Sequence, residues 1–296
     1  MVAKISIGFS RYSAFYSPLI ATIACGFLKE EGLEPDYKIA TPEHPAIAMI
    51  KDGTVNVTQS AVSACWAPLE KGGDAPMKHF AQINLKDGFF IIAKEPDPDF
   101  SWEKLKGKKM IVDHGGQPLA MFRFACHQSG IEFDAIDAID LGGSDSMEAG
   151  FRAGRADYAH FQGPAPQQLE EEGVGHVVAS VGEAIGPVAF SSLAASPEWL
   201  ATDEAKAFMR AYRKARKFCI ETPAEEIARI EDGYFEGIGQ PALIKCLKAY
   251  QELGNWDPAV EISPESYERA LDVFAHIGGI TKRHPYEQVV TSPPDA

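Results

Sequence analysis

Eight histidines and five cysteines are the residues of this 296-residue chain with the widest chemical range. Cys25, Cys65, Cys126, Cys219 and Cys246 are scattered, odd in number and without CxxC spacing. They suggest neither a zinc site nor a disulfide framework, and each reads as small apolar filler. His44, His79, His114, His127, His160, His176, His276 and His284 form no HxxxH or HxE cluster of the kind that holds a metal. Only His114 and His160 fall at predicted strand ends, where an imidazole could act as acid, base or ligand contact. Asp113 stands beside His114, but adjacent strand residues point to opposite faces. No GxSxG elbow supports a serine nucleophile, and no GxGxxG or GxxxxGK[ST] stretch supports a nucleotide phosphate site. No catalytic residue, metal ligand or cofactor is therefore assigned, and binding without chemistry ranks ahead of catalysis.

A second kind of chemistry lies in Lys108–Ile131, KKMIVDHGGQPLAMFRFACHQSGI. Met110-Ile111-Val112 reads as a buried strand, and Leu119, Phe122, Phe124 and Cys126 follow at near-helical spacing. Between them Gly115 and Gly116 permit a tight turn, and Pro118 suits the first helical position. The free N–H groups of such a terminus can hold an anion or a carbonyl without a basic side chain, and Gln117 adds a polar group. An ordinary strand-to-helix turn is the plainer alternative. Tyr12, Phe15 and Tyr16 sit in the turn after the first strand, Ser60 and Trp66 past the third, and Phe161 at a strand end of the second half. Brought to one edge, these aromatics would form a cup for a planar ring or a compact acid with an apolar body. Core packing is the alternative for Phe15 and Trp66.

The elements that must position these residues alternate. Lys4–Phe9, Glu34–Ile39 and Val55–Thr58 read as strands separated by helices. Ser17 is read as the cap of the first helix, with Pro18 at its first position. His79–Ile83 and the wholly apolar Phe89–Ala93 continue the series. After the break Glu95-Pro-Asp-Pro-Asp99, a second βαβ series runs from Met110 to Ser180. Val188–Ala194 mirrors Phe89–Ala93, so the middle of the chain reads as an inserted lobe between two crossings. The remainder is mostly helical, with a capping box at Thr222-Pro223-Ala224-Glu225 and a helix start at Ser263-Pro264. The tail Thr291–Ala296 reads as loose. A net charge of -14 argues against sequence-independent nucleic-acid binding, and no apolar run is long enough to span a membrane. A small anionic ligand remains compatible with that charge, because local donors outweigh distant, screened charges.

The layout resembles the solute-binding proteins of ABC importers, in the branch for sulfonates, nitrate and thiamine-precursor pyrimidines. The resemblance rests on FYSPLIATIACGFLKEEGLEPDYKI, AIAMIKDGTVNVTQS, LKGKKMIVDHGGQP, EAGFRAGRADYAHFQGPAPQQLEEEG and SPEWLATDEAKAFMRAYRKA, in that order and spacing. It implies an α/β architecture of the type II periplasmic-binding-protein kind, two lobes of mainly parallel sheet closing over a small ligand. The lobes are expected at 1–93 plus 188–296 and at 95–186. Carried over by position, Tyr12, Phe15, Tyr16 and Ser60 match the first-lobe contacts, and Gly115, Gly116 and Gln117 the second-lobe turn. His160, Phe161 and Gln162 end the strand before Gly163-Pro164, where many relatives have an acidic residue before proline; its absence argues against a cationic ligand. The implied partners are a small-molecule ligand and an ABC transporter permease. The implied location is the periplasm if a leader has been removed, and the cytoplasm otherwise. The same fold also resembles a cytosolic enzyme of thiamine-pyrimidine synthesis, but that enzyme depends on a cysteine run that does not occur here.

Overall fold

The computed structural model describes residues 3–294; Met1, Val2, Asp295 and Ala296 lie outside the described residues. The alternation of apolar runs and glycine-terminated helices becomes ten strands in two sheets. They are β1 (Ala3–Phe9), β2 (Leu33–Ile39), β3 (Val57–Ser60), β4 (Lys78–Gln82), β5 (Phe89–Ala93), β6 (Lys109–Ile111), β7 (Asp137–Ile139), β8 (Tyr158–Gln162), β9 (His176–Ser180) and β10 (Ser192–Ala195). One sheet has the order β2-β1-β3-β10-β4, the other β7-β6-β8-β5-β9. β1 is parallel to β2 and β3, and β6 to β7 and β8. Each sheet then takes one antiparallel strand: β10 between β3 and β4, and β5 between β8 and β9. A mixed sheet covered on both faces explains why both crossing runs are buried, the first apolar throughout and the second interrupted only by Ser191 and Ser192.

That pairing moves the first lobe boundary. Phe89–Ala93, assigned from sequence to the first lobe, is an interior strand of the second sheet, so the chain crosses between β4 and β5. The Pro/Asp-rich break at 95–99 is a connection from β5 towards β6, both of the second sheet, and no crossing. An apolar run announces burial but not which sheet it joins. The helical C-terminal part is also shared: Gln240–Glu252 packs on Ala224–Glu231 of the first lobe and on Ala165–Glu171 of the second. One hydrophobic core accordingly contains Ile7 of the first sheet and Ile91 and Val112 of the second lobe. A smaller cluster around Ile92, Phe151 and Leu169 covers the other face of the second sheet.

Several helix starts differ from their sequence reading. Ser17 is inside its helix, with Tyr16 as the cap residue, and its hydroxyl donates to Ala14 O at 2.8 Å. The helix Gly116–Gln128 begins two residues before Pro118, which takes the third position. Thr222 closes the helix Asp203–Glu221 without capping the next one. Ser263 behaves as read, its Oγ accepting from Ser266 N at 3.1 Å. The tail is anchored through Thr291 N, which donates to His79 O at 2.9 Å. On the helix Asp203–Glu221 the basic face is ion-paired, Arg210 and Lys214 with Glu31 at 2.7 and 2.9 Å. Arg216, by contrast, is buried and donates to Ile83 O at 2.8 Å, tying the first crossing to this helix.

Candidate functional site: the cleft between the sheets

The turns after β1 and β6 face each other, because both strands run to the same edge of their sheets and both are followed by a turn into helix. Arg11 leaves the first turn and Asp113 the second, and they meet at 2.7 Å across the cleft. Burial opposes ionisation of Asp113, but the Arg11 charge, its hydrogen bond and the Gly115 N–H outweigh burial and hold the carboxyl below its ordinary range. Arg11 is likewise raised despite its burial, through Asp113. The pair divides the cleft into two compartments, with Arg11 and Gln162 lining both.

The first compartment has a volume of about 280 Å³. Ser10, Gln59 and Ser60 line it from the first lobe, and Gly115, Gly116 and Gln117 from the second. Gln59 is placed by β3, where its Oε1 accepts from Ser10 N at 2.9 Å. The helix Gly116–Gln128 presents its terminus here. Gly115 N donates to Asp113 Oδ1 at 2.8 Å, and Leu119 N donates to Gly115 O at 3.0 Å. The N–H groups of Gly116 and Gln117 have no protein acceptor among the described residues. A helix terminus with open N–H groups, a guanidinium and several hydroxyls, lined by no carboxylate, is complementary to an anionic or carbonyl oxygen. The Gln117 side chain joins the lobes instead, accepting from Ser63 Oγ at 2.5 Å and donating to Phe190 O at 3.0 Å. Tyr16 forms a wall, and burial raises its phenol above the ordinary range, so it stays a neutral hydrogen-bonding group.

The second compartment, about 440 Å³, lies on the other side of the Arg11–Asp113 pair. Tyr12, Phe161 and His160 line it. His160 is 0% exposed and lies against the rings of Phe89 and Phe122, with centroids 4.4 and 4.7 Å away. Neither of its ring nitrogens has a partner, and burial pushes its pKa down to about 3, so the imidazole is neutral.

Three residues expected at the site are elsewhere. Phe15 is 0% exposed and packs on Phe190 and Tyr250. Trp66 is 1% exposed; its helix faces Pro264–His276, so Nε1 donates to Tyr267 OH at 3.1 Å and the ring meets Phe274. His114 turns back to donate from Nδ1 to Val112 O at 2.8 Å and lines neither compartment. The expected cup is thus divided, with Tyr16 in one compartment and Tyr12 and Phe161 in the other. Arg11, Asp113 as its partner, and Gln59 were not singled out as binding residues from sequence. The available signal was symmetry: opposite charges occupy equivalent turns after the opening strands of two matching βαβ series.

The family model described as NMT1/THI5 like matches residues 14–226. A putative binding protein of Bacillus subtilis (strain 168), YtlA, is 25% identical over 297 residues, spanning 98% of this chain and 88% of its own. Among solved structures, the alkanesulfonate-binding protein SsuA from Xanthomonas axonopodis pv. citri bound to MOPS superposes with a TM-score of 0.74 at 16% identity, over 98% of both chains. The periplasmic aliphatic sulphonate binding protein SsuA from Escherichia coli gives 0.74 at 15% identity, over 99% of this chain and 93% of that one. The two-lobe α/β architecture is therefore that of periplasmic-binding-protein-like folds.

Proposed function

The chain belongs to the NMT1/THI5 like family, and from that premise we propose that it is a solute-binding protein. It captures a small polar or aromatic organic acid between its lobes and delivers it to the permease of an ABC-type importer. Delivery of that kind places it on the outer side of the cytoplasmic membrane, in the periplasm where there is one. The observation that carries this reading is the first compartment. There the unpaired Gly116 and Gln117 N–H groups of one lobe and Arg11 of the other converge on a space without a carboxylate. Ligands named for the similar proteins, alkanesulfonates above all, have an anionic head of the kind this compartment suits. Calorimetry against a panel of small sulfonates, aromatic carboxylates and pyrimidines tests it, with the recovered ligand analysed chemically. At least one anionic member binds and is recovered unchanged, and Arg11→Ala weakens it by about tenfold or more, the value of a charge-assisted hydrogen bond. A turned-over product, or binding indifferent to Arg11, overturns the reading.

A further inference from the structure

We propose that Asp113 makes solute capture proton-linked: the acid of the solute takes the Arg11 guanidinium, and Asp113, left without its cation, takes up one proton from water. This deepens the binding reading above and rests on it. Among the described residues, Arg11 is the only cationic side chain lining either compartment. Its Nη1 is committed to Asp113 Oδ2 at 2.7 Å. Asp113 is 7% exposed, and the groups around it offer no second cation. Asp145, Glu148 and Glu236, which line the second compartment with it, are acidic, as is Asp87 of the first crossing, whose charge acts on Asp113. Tyr16 is a neutral phenol and His160 a neutral, fully buried imidazole. The His114 ring is turned away to Val112 O.

An anion in the first compartment and the Asp113 carboxylate compete for one guanidinium. Two anions about a single cation leave one negative charge buried and unpaired, and a proton removes it. Asp113 is the group that accepts this proton. Burial favours its neutral acid, and Arg11 is what chiefly keeps it ionised, whereas a sulfonate holds no proton at any ordinary pH. Asp87 shows the outcome for a buried carboxyl without an ion pair: burial raises it to about 7. In the exchange the contact from Arg11 Nη1 to Asp113 Oδ2 breaks, the guanidinium pairs with the solute's acid, and an O–H bond forms at Oδ2 with a proton from solvent. Asp113 Oδ1 keeps the Gly115 N–H, 2.8 Å away, so the turn carrying the open Gly116 and Gln117 N–H groups stays in place. Because the liganded state then binds more protons than the free one, affinity rises as pH falls.

The probes are short n-alkanesulfonates, measured by calorimetry at about pH 6 in cationic buffers of different ionisation enthalpy. The measured enthalpy varies with the buffer by an amount that reports uptake of most of one proton, and affinity rises about tenfold or more from about pH 8 to about pH 5. Asp113→Asn has no proton to take up. Its binding enthalpy is independent of buffer, and at about pH 8 it binds about tenfold tighter than the wild type, because Arg11 is no longer contested. The double variant Asp145→Asn, Glu236→Gln, altered at two exposed carboxylates, keeps the uptake, which locates the proton on Asp113. The wild-type measurement needs no variant, and thermal melting checks that each variant keeps its fold. Binding without proton exchange, exchange that survives in Asp113→Asn, or exchange lost in the double variant overturns the proposal while the anion-binding reading stands. If no sulfonate binds the wild type or Asp113→Asn at any pH, the reading beneath it falls as well.

Discussion

Glu231 is a carboxyl buried at 0% exposure with no cation beside it. Its Oε2 accepts from Ser17 Oγ at 2.6 Å, a hydroxyl that also lies 2.8 Å from Ala14 O. Burial raises the Glu231 pKa from 4.5 to about 8, with the Ser17 contact opposing. The folded state therefore keeps a proton that the unfolded chain releases, and its stabilising effect is full below pH 4.5 and lost as pH rises towards 8. Asp87, raised to about 7 by burial, acts in the same direction. Buried His79 and His160, lowered to about 3, act oppositely, but only below their ordinary 6.5. Above that pH the acids prevail, and Glu231 alone costs roughly 1 to 2 kcal/mol between neutrality and mild alkali. Glu231→Gln keeps the Ser17 contact and has no proton to lose. Its melting temperature should stay flatter than the wild type's over that interval; parallel decline of the two would remove Glu231 as the cause.

The helix Gly116–Gln128 shows how far an element could be read. Its existence, its apolar face and its glycine turn were all legible, because 3.6-residue spacing and backbone freedom are local properties. Its start was misplaced by two residues because proline is tolerated throughout a first turn, where no N–H is needed. Ser17 and Thr222 failed as caps for a related reason: the residue types permit capping, while tertiary partners decide it. The lobe assignment of β5 and the core positions of Phe15 and Trp66 were not legible, since apolar character specifies burial and leaves the neighbour open. Arg11–Asp113 joins residues 102 apart in sequence, and each alone looks like a solvated loop charge. What the turn does for binding can be measured at Gly116. A Cβ there meets nothing within 4 Å, and the backbone is not left-handed, so valine fits the fold and enters the cleft. Gly116→Val should weaken ligand by about tenfold or more while shifting unliganded stability by about 0.5 kcal/mol or less. At Gly115 the same atom would lie 2.9 Å from Asp113 Oδ1, so substitution there disturbs the bridge as well. Unchanged affinity in the Gly116 variant would exclude the turn from the site.

At the scale of the molecule, the two sheets look like separable lobes, yet the structure ties them at every level. β5 and β10 each enter one sheet directly from a crossing. Tyr250, on the helix Gln240–Glu252 that touches both lobes, donates to Gly88 O at 2.9 Å and accepts from Gly163 N at 3.0 Å. Ser13 Oγ of the first lobe donates to Gly163 O at 2.5 Å. A core continuous through both lobes means that unfolding one exposes apolar surface of the other, so neither has a stable state alone. Hinge motion about the crossings is compatible with this, because it changes the cleft and leaves that core in place. Calorimetry should therefore give one cooperative unfolding transition without ligand, with van't Hoff and calorimetric enthalpies in agreement. Ligand in hundredfold excess over its dissociation constant should stabilise the whole transition by about 2.7 kcal/mol, with no part left behind. Two resolved transitions, of which ligand moves only one, would show that the lobes fold independently and that the shared core does not couple them.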